Sequence, residues 1–320
     1  MSTTITASAI EDSLVERFLT RLRRIKGEDS GTYEIYIKAL KCYDDWLRKQ
    51  GIDAQSATTV DVENFVLMLK EEGYSGNTIK TRHTAVRKMY TMGVETFGVI
   101  DESPCSGINL DELNIYNRES EDYRHYVAQD EFEHMRENCG EPYVRNRLVL
   151  EIFWQTGVRI GELRNIKLDN VDMSNHRIRV FGEKTNDWRT VHYQPSLNRF
   201  MDIWIKEERP LLHDSEYLFP SNRAEQLTKQ TFRRIVRESA EEVNEVVGYT
   251  QNGKPKRRIT PHSLRHGHAV HALKSGIDVR AVQKQLGHKN IDTTMQYLQL
   301  VEDDVAEAYQ AFNTDGSNSE

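Results

Sequence analysis

Between Ile10 and Phe97 apolar side chains return every three or four positions. Tyr33, Tyr36, Ile37, Leu40, Tyr43 and Leu47 make one stripe, and Val62, Phe65, Val66 and Leu69 a second. Ile79, Val86, Met89, Tyr90 and Phe97 make a third. That is the period at which one face of an α-helix meets a core. Gly51 and the Gly73/Gly76 pair fall between the stripes, where helices stop. The pattern predicts a small all-helical domain over 10–110. Asp101-Glu102-Ser103-Pro104 breaks its last helix, and the weakly periodic polar stretch that follows reads as a linker at 111–122.

The period then changes. Residues 130–138 and 143–155 read as helices. Residues 177–181 alternate basic with apolar side chains, 189–193 continue in that style, and the polar stretch between them is turn-rich, which predicts a hairpin or part of a small antiparallel sheet. Helical pattern returns over 197–208 and 229–247, and again from Pro261 onward apart from a turn at Gly287. The expected fold is mainly α with a small antiparallel β-sheet in a second domain over 123–313. Residues 314–320 are expected to be a disordered tail.

Composition narrows the class. A chain of 320 residues accommodates two cores. With 38% hydrophobic and 29% charged residues, 7 Pro and 18 Gly, it is neither collagen-like nor wholly disordered. Cys42, Cys105 and Cys139 are scattered and odd in number, which argues against a disulfide framework or a zinc ribbon and for a reducing, cytoplasmic setting. No apolar run approaches the length of a membrane span, and the first ten residues lack the pattern of a signal peptide. The net charge of −7 argues mildly against nucleic acid, yet contact is decided by local patches. Such patches exist. Lys80, Arg82, Arg87 and Lys88 share the third N-terminal stripe's helix, Arg233, Arg234 and Arg237 follow Lys229, and Lys254, Lys256, Arg257 and Arg258 precede His262. Separate basic surfaces on two domains would clamp a DNA duplex from opposite sides, mainly through its phosphates.

The candidate chemistry lies in three short stretches. Thr156-Gly157-Val158-Arg159 is followed far downstream by His262-Ser263-Leu264-Arg265-His266, and then by Leu286-Gly287-His288 and Tyr297. A phosphodiester already carries negative charge, so catalysis at its phosphorus is mostly positioning and charge stabilisation. Arginine suits that task because its planar fork donates paired hydrogen bonds and stays protonated. Tyr297 is the candidate nucleophile; with a free pKa near 10 its phenol needs a base or electrostatic help. Gly287 suits a helix end and Asn290 the cap of the next helix, so Tyr297 is expected near the end of a short one. His262, His266, His268 and His271 invite a metal reading, but no HExxH or CxxC accompanies them and Arg265 would set a cation beside the ion. No metal or other cofactor is expected, and His266 reads as a supporting residue.

These three stretches, in this order, resemble the boxes of the tyrosine recombinases, the family of phage-type integrases and Xer recombinases. Arg265 and His288 are 23 residues apart, and His288 and Tyr297 are 9 apart, as that family's pattern expects. The resemblance implies a helical core-binding domain followed by a catalytic domain, the two forming a clamp on DNA. It implies that Arg159 and Arg265 hold the scissile phosphate, that His288 hydrogen-bonds it, and that Tyr297 attacks it to leave a 3′-phosphotyrosine. His262 would be the base toward the tyrosine and Glu162 a supporting carboxylate. A hairpin lysine would protonate the leaving oxygen, and Lys184 fits that place, although Glu183 and Thr185 flank it where the family often has glycines. The partners implied are double-stranded DNA with a specific recombination site and further copies in a homotetramer, with the stretch Val301, Val305, Ala308 and Phe312 docking on a neighbour. Integration or excision of a mobile element is the expected occasion. Xer-type dimer resolution, a type IB topoisomerase and a non-catalytic DNA-binding protein are the alternatives.

Overall fold

The computed structural model describes residues 13–28, 31–115, 125–183, 186–249 and 253–301. The chain divides into two compact units, Met1–Ser120 and Glu121–Glu320. In the first, helices α1 (Ser13–Lys26), α2 (Gly31–Gln50), α3 (Thr59–Glu71) and α4 (Gly76–Met92) turn their apolar stripes onto one core. Phe18, Tyr43, Phe65 and Tyr90 are its largest fully buried members, and the Tyr43 and Tyr90 hydroxyls meet at 2.8 Å, which satisfies two polar tips inside it. Local caps set the helix starts. The Thr58 hydroxyl accepts from the Asp61 amide while Asp61 returns a bond to the Thr58 amide, and Ser75 caps α4.

The second unit is built round α6 (Tyr143–Thr156), buried on nearly every side by Val149, Ile152 and Phe153 among others. Before it runs α5 (Gln129–Glu137), and after it the short α7 (Ile160–Arg164). A three-stranded antiparallel sheet follows, in the order β1 (Val171–Asp172), β2 (Arg177–Gly182), β3 (Asp187–His192). Ile178 and Val180 of β2 and Val191 of β3 turn into the core, as the alternation predicts. Helices α8 (Asn198–Ile203) and α9 (Lys229–Ser239) lead to α10 (Pro261–Lys274) and α11 (Val279–Leu286), and a further helical stretch covers 292–301.

One expected helix ends early. The pattern over 229–247 predicts helix throughout, but α9 stops at Ser239, and β4 (Val246–Tyr249) pairs antiparallel with β5 (Pro255–Arg257). The buried Asn244 side chain is the cause: it donates to the Ile259 carbonyl and accepts from the Ile259 amide, which binds the two arms of a hairpin together. The β-branched Val246 and Val247 then favour strand. The expected tail at 314–320 and most of the C-terminal amphipathic stretch lie outside the described residues.

Candidate active site

Two glycines bring the separate sequence stretches together. Gly157 ends α6 with φ +61°, and a side chain there would start 2.6 Å from Leu286 Cδ2 and 2.8 Å from His268 Cδ2. Gly287 ends α11 with φ +70°, pressed against the Arg189 guanidinium. Both turns present carbonyls to one buried cation. Arg265 Nη1 donates to the Gly157 carbonyl at 2.5 Å and Nη2 to the Leu286 carbonyl at 2.7 Å. These bonds occupy two of its five N–H donors. Burial, and next the Arg159 charge, push its pKa down to about 9, which leaves it a cation at neutral pH.

Arg159 and Glu162 are set by α7. Arg159 is the residue before the helix, and its amide donates to Glu162 Oε2 at 2.7 Å while its Nη1 meets Oε1 at 3.0 Å. That amide serves the carboxylate, so it is not free to meet a phosphate. Glu162 is buried and also receives a bidentate pair from Arg189 of β3, at 2.8 and 2.7 Å. Burial by itself would raise the Glu162 pKa. The Arg189 hydrogen bonds and charge, the Arg159 amide and the Arg265 charge outweigh it and hold the carboxyl below its ordinary value. Two guanidinium groups thus hydrogen-bond one carboxylate and a third, Arg265, adds its charge, which makes a net positive site.

Arg189 was not among the expected residues. Its signal in the sequence is faint: position 189 alternates inward on β3, next to Val191, but nothing local names its partner 27 positions away. Thr294 was missed for the same reason. It is fully buried, and its hydroxyl lies 2.8 Å from His288 Nδ1, so it orients the imidazole from the same helical stretch that carries Tyr297. Burial, then the Arg265, Arg159 and Arg189 charges, push the His288 pKa down to about 3.

Tyr297 is 2% exposed, and its hydroxyl lies 2.5 Å from His266 Nδ1. Burial raises its pKa to about 12, against the pull of Arg265 and Arg159. His266 is held neutral, with a pKa of about 3, by burial and then by the charges of His262 and Arg265. The residue in contact with the tyrosine is therefore His266, where His262 was expected. His262 is exposed on the first turn of α10, its amide bonded to Thr260 Oγ1 at 3.2 Å and its ring edge-on to His266 at 4.2 Å. Among the described residues no group of three or more His, Cys, Asp or Glu could hold a metal ion.

The structure brings Arg159, Glu162, Arg265, His266, His288 and Tyr297 together, with His262 at the rim. Lys184 and Thr185 lie outside the described residues. The Glu183 carboxylate next to them accepts from Asn165 at 2.8 Å and from Lys229 at 3.4 Å, which ties the end of β2 toward α7 and α9. The basic patches divide. Arg87, Lys88, Arg233, Arg234, Lys254, Lys256 and Arg257 are exposed. Arg82 lies over the Tyr74 ring at 3.9 Å and donates to Cys42, and Lys80 is near Asp111 at 3.9 Å. Arg258 is turned inward to Glu131 and the Tyr126 carbonyl, so it braces the unit.

Comparison with known proteins decides the family. The description "Phage integrase family" matches residues 125–303, and "Phage integrase, N-terminal SAM-like domain" matches 15–95. The chain belongs to the phage integrase family. Within it, the chain is 28% identical over 300 residues to the tyrosine recombinase XerD of Pseudomonas aeruginosa, covering 92% of this chain and 94% of that protein. The family fold is shared with XerH site-specific recombinase bound to palindromic difH substrate, at 18% identity and a TM-score of 0.71 over 97% of this chain and 92% of that one. It is shared too with the Tn1549 transposon integrase in complex with circular intermediate DNA, at 18% identity and a TM-score of 0.68 over 90% of this chain and 95% of that one. Among the described residues no helix is long and apolar enough to cross a membrane.

Proposed function

We propose that this site-specific recombinase cuts and rejoins duplex DNA through a 3′-phosphotyrosine at Tyr297. The observation that carries the reading is the gathering of Arg159, Arg189 and Arg265 near Tyr297, the first two paired to the buried Glu162 carboxylate and the third adding its charge. One negative charge against three leaves the site short of an anion, and a scissile phosphate supplies it. Arg159 and Arg265 hold its non-bridging oxygens. The Thr294 hydroxyl holds the His288 ring at Nδ1, 2.8 Å away, and the tautomer protonated at Nε2 donates to the same phosphate. The Tyr297 oxygen attacks phosphorus, its proton passes to a neighbouring imidazole, and the bond from phosphorus to the 5′-oxygen breaks. That oxygen leaves as a hydroxyl, with Lys184 as the proton source. His266 lies at the tyrosine hydroxyl in the resting arrangement, and His262 faces outward, where bound DNA would meet it. The phosphodiester energy stays in the protein–DNA bond, so the reaction calls for neither a nucleotide cofactor nor a metal.

The exposed cations Arg87, Lys88, Arg233, Arg234 and Lys256 support phosphate contacts from both units. We read the assembly as a homotetramer on paired sites, in which a groove of about 680 Å³ in the catalytic unit, lined by Trp154, His271, Ala272, Val282 and Gln285 among others, receives a neighbour. Its mixed lining, with Trp154, Ala272, Ile277 and Val282 as the apolar part, suits the amphipathic stretch Val301, Val305, Ala308 and Phe312 of a neighbouring copy, in a head-to-tail interface that closes as a ring. Integration or excision of a mobile element in the cytoplasm is the occasion we favour, on the likeness to a transposon integrase; recombination of a chromosomal site alone would argue for dimer resolution.

A duplex nicked just downstream of the cleavage site, which loses the short fragment bearing the new 5′-hydroxyl, tests the chemistry. Wild type should accumulate a covalent adduct resistant to denaturing gel electrophoresis, and Tyr297→Phe should form none. An adduct formed by Tyr297→Phe would show the nucleophile to be another residue, and binding without any wild-type adduct would favour a non-catalytic protein.

A further inference from the structure

The β4–β5 ribbon is covered on neither side among the described residues. Val246 is 42%, Val247 44% and Tyr249 68% exposed, and Pro255, Lys256 and Arg257 opposite them are exposed as well. Among the described residues the two strands pair only with each other. A lone two-stranded ribbon is marginal in water, and a cluster of exposed valine and tyrosine side chains marks a surface that a partner covers. Its charge says which partner. Residues 246–257 hold three cations, Lys254, Lys256 and Arg257, and no acid, within a chain of net charge −7.

Place strengthens the argument. A cavity of about 380 Å³ is lined by Val247, Lys256 and Arg257 together with His262, Ser263 and His266. The ribbon therefore borders the same cavity as the His262 and His266 side chains. The register also steps between Val246 and Gly248, a bulge that re-aims the strand at Val247. Asn244 fixes the base of the ribbon to Ile259, two residues before α10 begins, so its position is tied to the helix that carries Arg265.

We infer that the β4–β5 ribbon reads DNA, lying in the major groove beside the scissile phosphate. Lys256 meets a backbone phosphate, and Val247 and Tyr249 lie against base edges, where the thymine methyl is the apolar feature. The major groove, about 12 Å wide, admits a two-stranded ribbon. This rests on the recombinase reading and adds to it a determinant of site preference outside the catalytic residues.

Full-length Lys256→Gln and Tyr249→Ala test it, since both positions are exposed and neither belongs to the catalytic set. Two probes are needed: a mixed-sequence duplex, and a duplex selected by wild type from a randomised pool. Affinity is measured over a series of KCl concentrations. Lys256→Gln should weaken both duplexes and lower the slope of log affinity against log salt by about 1. Tyr249→Ala should keep the slope and weaken the selected duplex by about tenfold while leaving the mixed one unchanged, as for loss of one base contact. Wild-type behaviour of both variants on both duplexes would overturn the inference and leave the recombinase reading intact. So would a loss of self-association in sedimentation without a change in DNA binding, which would make the partner a second copy of the chain. Salt-independent or absent binding by wild type itself would overturn both readings.

Discussion

Arg159 and Arg189 both spend hydrogen bonds on the buried Glu162 carboxylate, and these bonds with the Arg189 and Arg265 charges hold it ionised. Arg159, Glu162, Arg265, His266, His288 and Tyr297 come from stretches whose spacing already suggests phosphoryl chemistry, and the fold gathers all six. Arg189 and Thr294 could not be read that way, because each acts on a residue whose proximity only the tertiary fold creates. Tyr297's contact with His266 was hidden for a further reason: positions 262 and 266 differ by one helical turn, and only burial distinguishes them. Arg189 lends itself to a direct test. It is 14% exposed and spends two hydrogen bonds on a carboxylate that is 2% exposed. Arg189→Ala leaves that carboxylate paired through Arg159 alone, and breaking a buried pair from one side costs about 3 kcal/mol. Urea unfolding of the variant should show a loss of that size together with slower adduct formation, and a stability equal to wild type would mean that Glu162 is already satisfied without Arg189.

Elements were read from the sequence more reliably than their contacts. The three apolar stripes of the first unit, the β2–β3 hairpin and the break at Gly287 all follow from local pattern, because period and turn chemistry act over a few residues. The β4–β5 ribbon did not, since helical spacing runs on past Ser239 until the side chain of Asn244 finds Ile259, 15 positions later. Gly157 is the element-scale hinge of the site: it ends α6, hands a carbonyl to Arg265 and lets Leu286 and His268 approach. Gly157→Ala must adopt a left-handed conformation and push those side chains away. The two penalties together predict a loss of roughly 3 kcal/mol in urea unfolding. An intact midpoint would show that α6 and α11 can separate without cost.

Across the whole molecule, the same burial that organises the active site makes the protein sensitive to acid. His266 and His288 have pKa values near 3 and His268 near 4, in each case chiefly because they are buried, against 6.5 for an exposed imidazole. Below pH 6.5 the unfolded chain takes up protons at these three positions and the folded chain does not. Their contribution is therefore whole above pH 6.5 and is lost progressively as pH falls toward 4 and then 3. Glu162 adds to this only at lower pH, since its depressed carboxyl contributes above the ordinary carboxylate range and fails as pH drops through its folded value. Unfolding free energy from urea titrations should thus decline between pH 6.5 and 4, before most carboxylates titrate. His266→Phe removes one of the three groups from a site where its Nε2 has no hydrogen-bond partner. The variant's decline should be shallower by about 1.4 kcal/mol per pH unit, the linkage of one proton. Parallel curves for wild type and variant would mean that His266 accepts a proton in the folded state, and that the contact with Tyr297 tolerates a charged imidazole.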